Sequence, residues 1–138
     1  MIETYRGIVY PTQLDHMGHM NVQWYTAKFD EATWHFVSAL GLTQDYVQGS
    51  GMGMAALQNT THYKAEVMVG RLLVIKSKLL EINNKTIKFL HVMYDAESGQ
   101  EVATSELIGA HLDRTKRKAV PFPEEIAAKA RAMLAAEQ

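Results

Sequence analysis

Tyr25, Phe29, Ala32, Phe36 and Leu40 recur at steps of four, three, four and four. That spacing lays apolar side chains along one side of a helix. Lys28, Glu31 and His35 fall largely on its other faces. Asn21 precedes the first turn as a good N-cap, able to accept from the N–H of Gln23 or Trp24. Gly41 stands where a C′ glycine closes a helix. The sequence therefore predicts one long helix over Val22 to Leu40. Such a helix must bury its stripe on another layer, and the chain that follows it reads as strands.

Thr4 to Tyr10 is a short run of β-formers ended by Pro11. Thr43 to Gly53 reads as a connector in which Tyr46 and Val47 pack and the glycines allow tight turning. Met54 to Tyr63, Leu72 to Ile82, Thr86 to Asp95 and Glu101 to Leu112 read as successive strands. In Leu72 to Ile82, Leu73, Ile75, Ser77 and Leu79 share one face and Lys76 and Lys78 the other. Thr86 to Asp95 is apolar on both faces, with Ile87, Phe89 and Met93 opposite Leu90, Val92 and Tyr94, which marks a central strand. Asn83-Asn84 and Ala96 to Gly99 suit tight turns, so the pairing is mainly antiparallel. Asp113 to Lys118 is a basic loop, Val120 to Pro123 is extended, and Glu124 to Ala136 is a short alanine-rich helix whose charges suit its dipole. The expected class is α+β: an antiparallel sheet, one long helix and a short C-terminal helix. A single long helix leaves part of a sheet face without cover, which calls for a partner subunit.

The chain has 138 residues, 47% hydrophobic and 21% charged, as expected for one globular domain over residues 1–138. A net charge of −1 gives no basic field for nucleic acid. Cysteine is absent, which excludes disulfides, thiolate catalysis and Cys-ligated zinc. The first residues lack the apolar core of a signal peptide. No apolar run approaches the roughly 20 residues of a membrane span. The expectation is a cytoplasmic protein with no membrane contact.

Leu14-Asp15-His16-Met17-Gly18-His19-Met20-Asn21 reads as a tight loop carrying a lone carboxylate directly before the long helix. The first N–H groups of a helix lack intrahelical partners. A base or nucleophile thus stands beside free donors, the two things acyl chemistry needs. The plainer alternative for Asp15 is an Asx-turn. His16 and His19 beside Asp15 make a metal site conceivable, but three such residues in a tight loop do not converge easily and no fourth ligand is evident; no metal is expected. His19 is expected to bond loop backbone and hold Asp15 in place. Gly18 is expected to take positive φ or allow close ligand approach. Asn21 serves as cap first and substrate contact second, and Gln23 sits in the first turn within reach of the site.

Asp15-x-x-Gly18-His19-x-Asn21, followed by an aromatic-rich helix and a run of strands, resembles the hotdog-fold thioesterases of the 4-hydroxybenzoyl-CoA type. The likeness covers nearly the whole chain, including Thr61-His62-Tyr63, Gly70, Gly99 and the closing Val120-Pro121-Phe122-Pro123-Glu124. It implies an antiparallel sheet wrapped around the long helix. It also implies a homodimer joined edge to edge, paired again into a homotetramer, with acyl-CoA bound at the dimer interface. The family's catalytic carboxylate matches Asp15, and the N–H that polarises the thioester carbonyl falls at about Val22. Arg71 after Gly70 departs from the acidic residue of many members and reads as a surface or CoA-side change. Trp24 and Trp34 are not general family features.

On this reading the protein hydrolyses an acyl-CoA thioester to a carboxylate and free CoA, with CoA as part of substrate and product and no separate cofactor. Asp15 either attacks the carbonyl, forming an anhydride, or acts as general base for water. Asn59, Thr61 and His62 belong to a strand that should border the site, although neighbours on a strand point oppositely and ordinary strand polarity would explain them equally. Arg114 and Lys116, in the basic Arg114 to Lys118 run, could meet CoA phosphates; a solvated surface is the plainer reading. Gly18 to Tyr25 is also similar to thioesterases linked to carnitine breakdown. If Trp24 faces the pocket, it could recognise a betainyl ammonium through cation–π contact. The rivals are a hotdog hydratase or dehydratase, with His16 or His19 paired to Asp15, and a non-catalytic acyl-CoA-binding protein.

Overall fold

The computed structural model describes residues 1–137. The elements in chain order are β1 (Ile2–Ile8), α1 (Val22–Ala39), α2 (Gln44–Ser50), β2 (Met52–Tyr63), β3 (Leu72–Ile82), β4 (Thr86–Asp95), β5 (Glu101–Asp113), β6 (Lys118–Ala119) and α3 (Glu124–Ala136). All strand pairs are antiparallel. The order across the sheet is β1-β3-β4-β5-β2, with the two-residue β6 added to β5. β4 is central, as its two apolar faces predict, and β1 and β2 are the edges.

α1 begins and ends as its sequence dictates. The Asn21 side chain accepts the Gln23 N–H at 3.0 Å. Leu40 caps the far end and Gly41 follows at φ +104°, which a β-carbon would resist. Tyr25, Phe29, Ala32, Phe36 and Leu40 are all buried against the sheet. Tyr25, Phe29 and Ala32 pack with Leu73, Ile75 and Met93, while Phe36 and Leu40 pack with Leu79, Ile87 and Phe89 and with Ile126 and Ala130 of α3. The sheet thus curls around the helix, and α3 closes its far end.

Three expectations change. Lys28 does not fall on an outer face: it is buried, and its Nζ donates to the Tyr5 hydroxyl at 2.9 Å. The stem covers apolar surface where β1 crosses the helix; burial pulls the ammonium's pKa down against the pull of Glu31. The connector Thr43 to Gly53 contains α2, capped by Thr43 accepting the Tyr46 N–H and stopped by Gly51 at φ +74°. The basic loop closes on β6, with Asp113 accepting the N–H groups of Thr115 and Lys116 through the turn.

The core also holds a polar row. Thr4, Ser77 and His91 are buried side by side on β1, β3 and β4 beneath α1. Thr4 Oγ1 lies 2.7 Å from Ser77 Oγ, which lies 2.5 Å from His91 Nδ1. His91 Nε2 lies 2.9 Å from Thr33 Oγ1, whose hydroxyl donates to the Phe29 carbonyl. That last bond makes Thr33 an acceptor for Nε2–H and leaves Nδ1 to accept from Ser77. The chain of bonds is satisfied by a neutral imidazole, and burial holds the His91 pKa at about 4.

Candidate active site

The loop before α1 is a closed structure. Leu14 and Met20 bridge across it, the Asp15 N–H donates to the His19 carbonyl at 2.7 Å, and the Asn21 N–H donates to the Gln13 carbonyl at 2.8 Å. Met20 is buried and its N–H reaches the Val67 carbonyl, which fastens the loop to the chain after β2. Gly18 sits at φ +85° at the tip, a conformation only glycine takes without strain.

Inside this frame Asp15 Oδ1 accepts the N–H of Met17 at 2.8 Å and of His19 at 3.2 Å. The Asx-turn reading is therefore correct for Oδ1. Oδ2 makes no hydrogen bond among the described residues. Partial burial pushes the carboxyl pKa up, but the His19 and Met17 N–H groups and the nearby His19 and His16 rings outweigh it and hold it below the ordinary aspartate range. Asp15 is a carboxylate at neutral pH.

Asp15 and the first residue of α1 line one open cleft with His19, Tyr25, Tyr63, Lys64 and Glu66. The Gln23 N–H is taken by the Asn21 side chain and the Trp24 N–H by the Asn21 carbonyl at 2.9 Å. Among the described residues, the Val22 N–H is the one of these three without a partner. Capping thus selects which donor is left at the cleft. Tyr25 forms the floor: its ring meets Tyr63 edge-on at 5.1 Å and its hydroxyl donates to the Ala65 carbonyl.

The other predicted residues divide. The His19 ring does not touch Asp15; it turns to Glu66 at 3.1 Å, and only the His19 backbone holds the loop. Trp24 lines no part of this cleft and packs against the core, its indole N–H buried without a partner among the described residues. Asn59 and Thr61 share the inner face of β2 with Tyr63, and Asn59 accepts from Ser105 at 2.8 Å. His62 alternates to the outer face. Gln23 is exposed on the first turn and does not line the cleft. Arg114 is a brace: its guanidinium donates to the carbonyls of Met52 and Val47, tying α2 to the start of β2. Lys116 is exposed in the β5–β6 turn. Within one chain both lie at the end of β2 opposite Asp15. Arg71 is likewise structural, paired with Asp95, whose other oxygen accepts from Glu97 and Ser98 in the β4–β5 turn. Of the other cleft residues, Tyr63 stands in the sequence only within the Thr61-His62-Tyr63 stretch of the family likeness, and Lys64 and Glu66 carry no motif; the fold is what brings all three to Asp15.

Comparison with known proteins fixes the class. The structure superimposes on a Staphylococcus aureus protein solved with CoA at a TM-score of 0.89, with 19% identity over 98% of this chain and 87% of that one. This is the hotdog fold: a curled antiparallel sheet against one long helix. The model of the thioesterase-like superfamily matches residues 9–130, and the chain belongs to that family. It is 27% identical to the betainyl-CoA thioesterase of Pseudomonas aeruginosa over 138 residues, all of this chain and 87% of that protein. It is 29% identical over 116 residues to the L-carnitine dehydrogenase/betainyl-CoA thioesterase of Rhizobium meliloti, 84% of this chain but 23% of that much longer protein.

Proposed function

We propose that this protein hydrolyses an acyl-CoA thioester, with Asp15 as nucleophile or general base and the Val22 N–H as donor to the carbonyl oxygen. The observation that carries the reading is the shared cleft, where a carboxylate with a free oxygen meets the unpartnered N–H of a helix N-terminus. As nucleophile, Asp15 attacks the carbonyl carbon, CoA leaves as thiolate, and water cleaves the resulting anhydride. As general base, Asp15 takes a proton from water that attacks directly. By either route the products are a carboxylic acid and the CoA thiol. Charge growing on the oxygen meets the Val22 N–H and the positive end of the α1 dipole. The route uses no metal. The hydratase alternative needs a histidine ring converging with Asp15 on the ligand, whereas the His19 ring pairs with Glu66 and the exposed His16 does not line the cleft.

The same reading includes a second copy. β2 is an open edge along twelve residues, with Leu57, Tyr63, Val22 and Trp34 exposed on or near it. A long unpaired edge calls for a partner, and antiparallel pairing of β2 with its counterpart gives a homodimer with one continuous sheet. Two such dimers joined form the proposed tetramer. Pairing also carries Lys116 of one protomer towards the Asp15 end of the other, where a CoA phosphate would meet it. The names of two relatives include betainyl-CoA thioesterase, and one of them also L-carnitine dehydrogenase, which supports a betainyl acyl group and a role in carnitine breakdown.

The test is thiol release from benzoyl, short linear, long linear and betainyl thioesters of CoA, with wild type and Asp15→Asn side by side. Release that depends on Asp15 supports the proposal. An Asp15→Asn variant with undiminished turnover overturns the role of Asp15, and no release by folded wild type overturns the activity.

A further inference from the structure

A second cleft opens on the other half of β2. Asp30 and Trp34, one turn apart on α1, form its wall, and Val37, Met54, Phe89 and Leu107 form its apolar lining. Its volume is about 130 Å³, enough for a compact head group and far too little for a nucleotide. Asp30 is the one charged residue that lines it, and among the described residues its carboxylate enters no ion pair. Trp34 is 61% exposed. An unpaired carboxylate beside an open indole over an apolar floor is the chemistry that holds an ammonium carrying methyl groups.

Within one chain this cleft cannot serve Asp15. Asp30 lies eight residues along the helix from Val22, about 12 Å by helical rise. The ammonium of a betainyl thioester is one carbon from the carbonyl. The two clefts nevertheless open at opposite ends of β2: Asp15 beside Tyr63 and Lys64, Asp30 beside Met54, Ala55 and Ala56. Antiparallel pairing of a strand with its own copy, centred on its middle, sets Tyr63 of one chain opposite Met52 of the other. The Asp15 cleft of one protomer then adjoins the Asp30 cleft of its partner.

We propose that Asp30 and Trp34 of one protomer form the acyl-recognition wall for Asp15 of the other, selecting acyl-CoA substrates whose acyl group carries a cation close to the carbonyl. The proposal rests on the thioesterase reading and on pairing through β2. It moves the aromatic partner of the cation from Trp24, which the core holds, to Trp34.

The experiment compares betainyl-CoA with 3,3-dimethylbutyryl-CoA, its neutral isostere, using the full-length protein. Asp30→Asn and Trp34→Leu should each lower kcat/KM for betainyl-CoA about tenfold more than for the neutral substrate, and an unchanged melting temperature shows that the variants fold. Equal effects on both substrates, or none, overturn the proposal and leave the thioesterase reading standing. No turnover of either substrate by wild type overturns both. A purified heterodimer of one Asp15→Asn chain and one Asp30→Asn chain, separated by distinct tags, decides whether the wall is supplied in trans. One of its two sites is then intact, and it should turn over betainyl-CoA at about half the wild-type rate. A rate no higher than that of the Asp30→Asn homodimer overturns the shared site.

Discussion

The Asp15 loop and the Thr4–Ser77–His91 row are both small polar constellations next to α1, and they end in opposite chemistry. The row is sealed: His91 is fully buried, each of its ring nitrogens has a hydroxyl partner, and the chain of bonds ends on the Phe29 carbonyl. The loop is open: Asp15 spends one oxygen on two backbone N–H groups and keeps the other at a cleft. A satisfied polar group in a core specifies packing. A polar group satisfied only on one side has capacity left for a ligand. The contrast lies in which bonds remain to be made, because a histidine on a strand looks no less catalytic in sequence than an aspartate in a loop.

The largest effect is expected of Asp15→Asn. The asparagine oxygen can still accept from Met17 and His19, so the loop and the melting temperature should be retained. Thiol release should fall by about 10³-fold or more, the order expected for loss of a nucleophile or base. A variant that loses stability as much as activity would place Asp15 with His91 as a structural group.

The reverse behaviour is expected of His91 and is read by pH. Its pKa is about 4 folded against 6.5 for an unperturbed imidazole. Between these values the unfolded chain binds the proton that the folded chain refuses, so stability is fully present above about pH 6.5 and is lost as pH falls towards 4. The total loss is about 3 kcal/mol, with about 2 kcal/mol gone by pH 5. Asp15, Asp95 and Asp113 have lowered folded values, so their contribution is present above the unfolded value of 3.8 and is lost only below it. The two windows separate in urea titrations at pH 7.5, 5 and 3. His91→Leu should abolish its part of the slope between 6.5 and 4. At pH 7.5 it should cost about 1–3 kcal/mol, because the Ser77 hydroxyl loses its acceptor. Turnover per folded molecule should stay at the wild-type level; a specific loss of kcat would assign the row a catalytic part.

How much of this was legible in the sequence follows from how local each feature is. The helix stripe, the Asn21 cap, Gly18, Gly41 and the alternation of Leu73, Ile75, Ser77 and Leu79 depend on spacing alone, and each has the conformation or burial expected of it. Resemblance supplied the curled sheet. Features that depend on where distant chain lies were not legible. Lys28 is buried because β1 brings Tyr5 to it. The His19 ring is diverted by Glu66, forty-seven residues away. Arg114 is occupied by carbonyls of α2 and β2, and α2 itself hides behind glycines that read as a loop. Strand alternation puts Asn59 and His62 on opposite faces, but only the register with Leu107 and Thr104 tells which face is inward.

The smallest expected effect tests the finest part of the contrast, the division of labour among the first N–H groups of α1. Asn21→Ala removes the acceptor for the Gln23 N–H, which should cost about 1 kcal/mol of stability and lower the melting temperature by a few degrees. It also leaves Gln23 as free as Val22, so the helix end presents two unsatisfied donors where the wild type presents one. If the Val22 N–H alone meets the carbonyl oxygen, the change should leave kcat within about twofold of wild type, because the donor in use has not moved. A fall in kcat well beyond the loss of folded protein, with KM unchanged, would show that the cap fixes the direction of that donor as well as the start of the helix. Asn21→Asp separates these outcomes. It keeps an acceptor for Gln23 and should restore stability, but it adds negative charge beside the developing oxyanion and should lower kcat where Asn21→Ala does not.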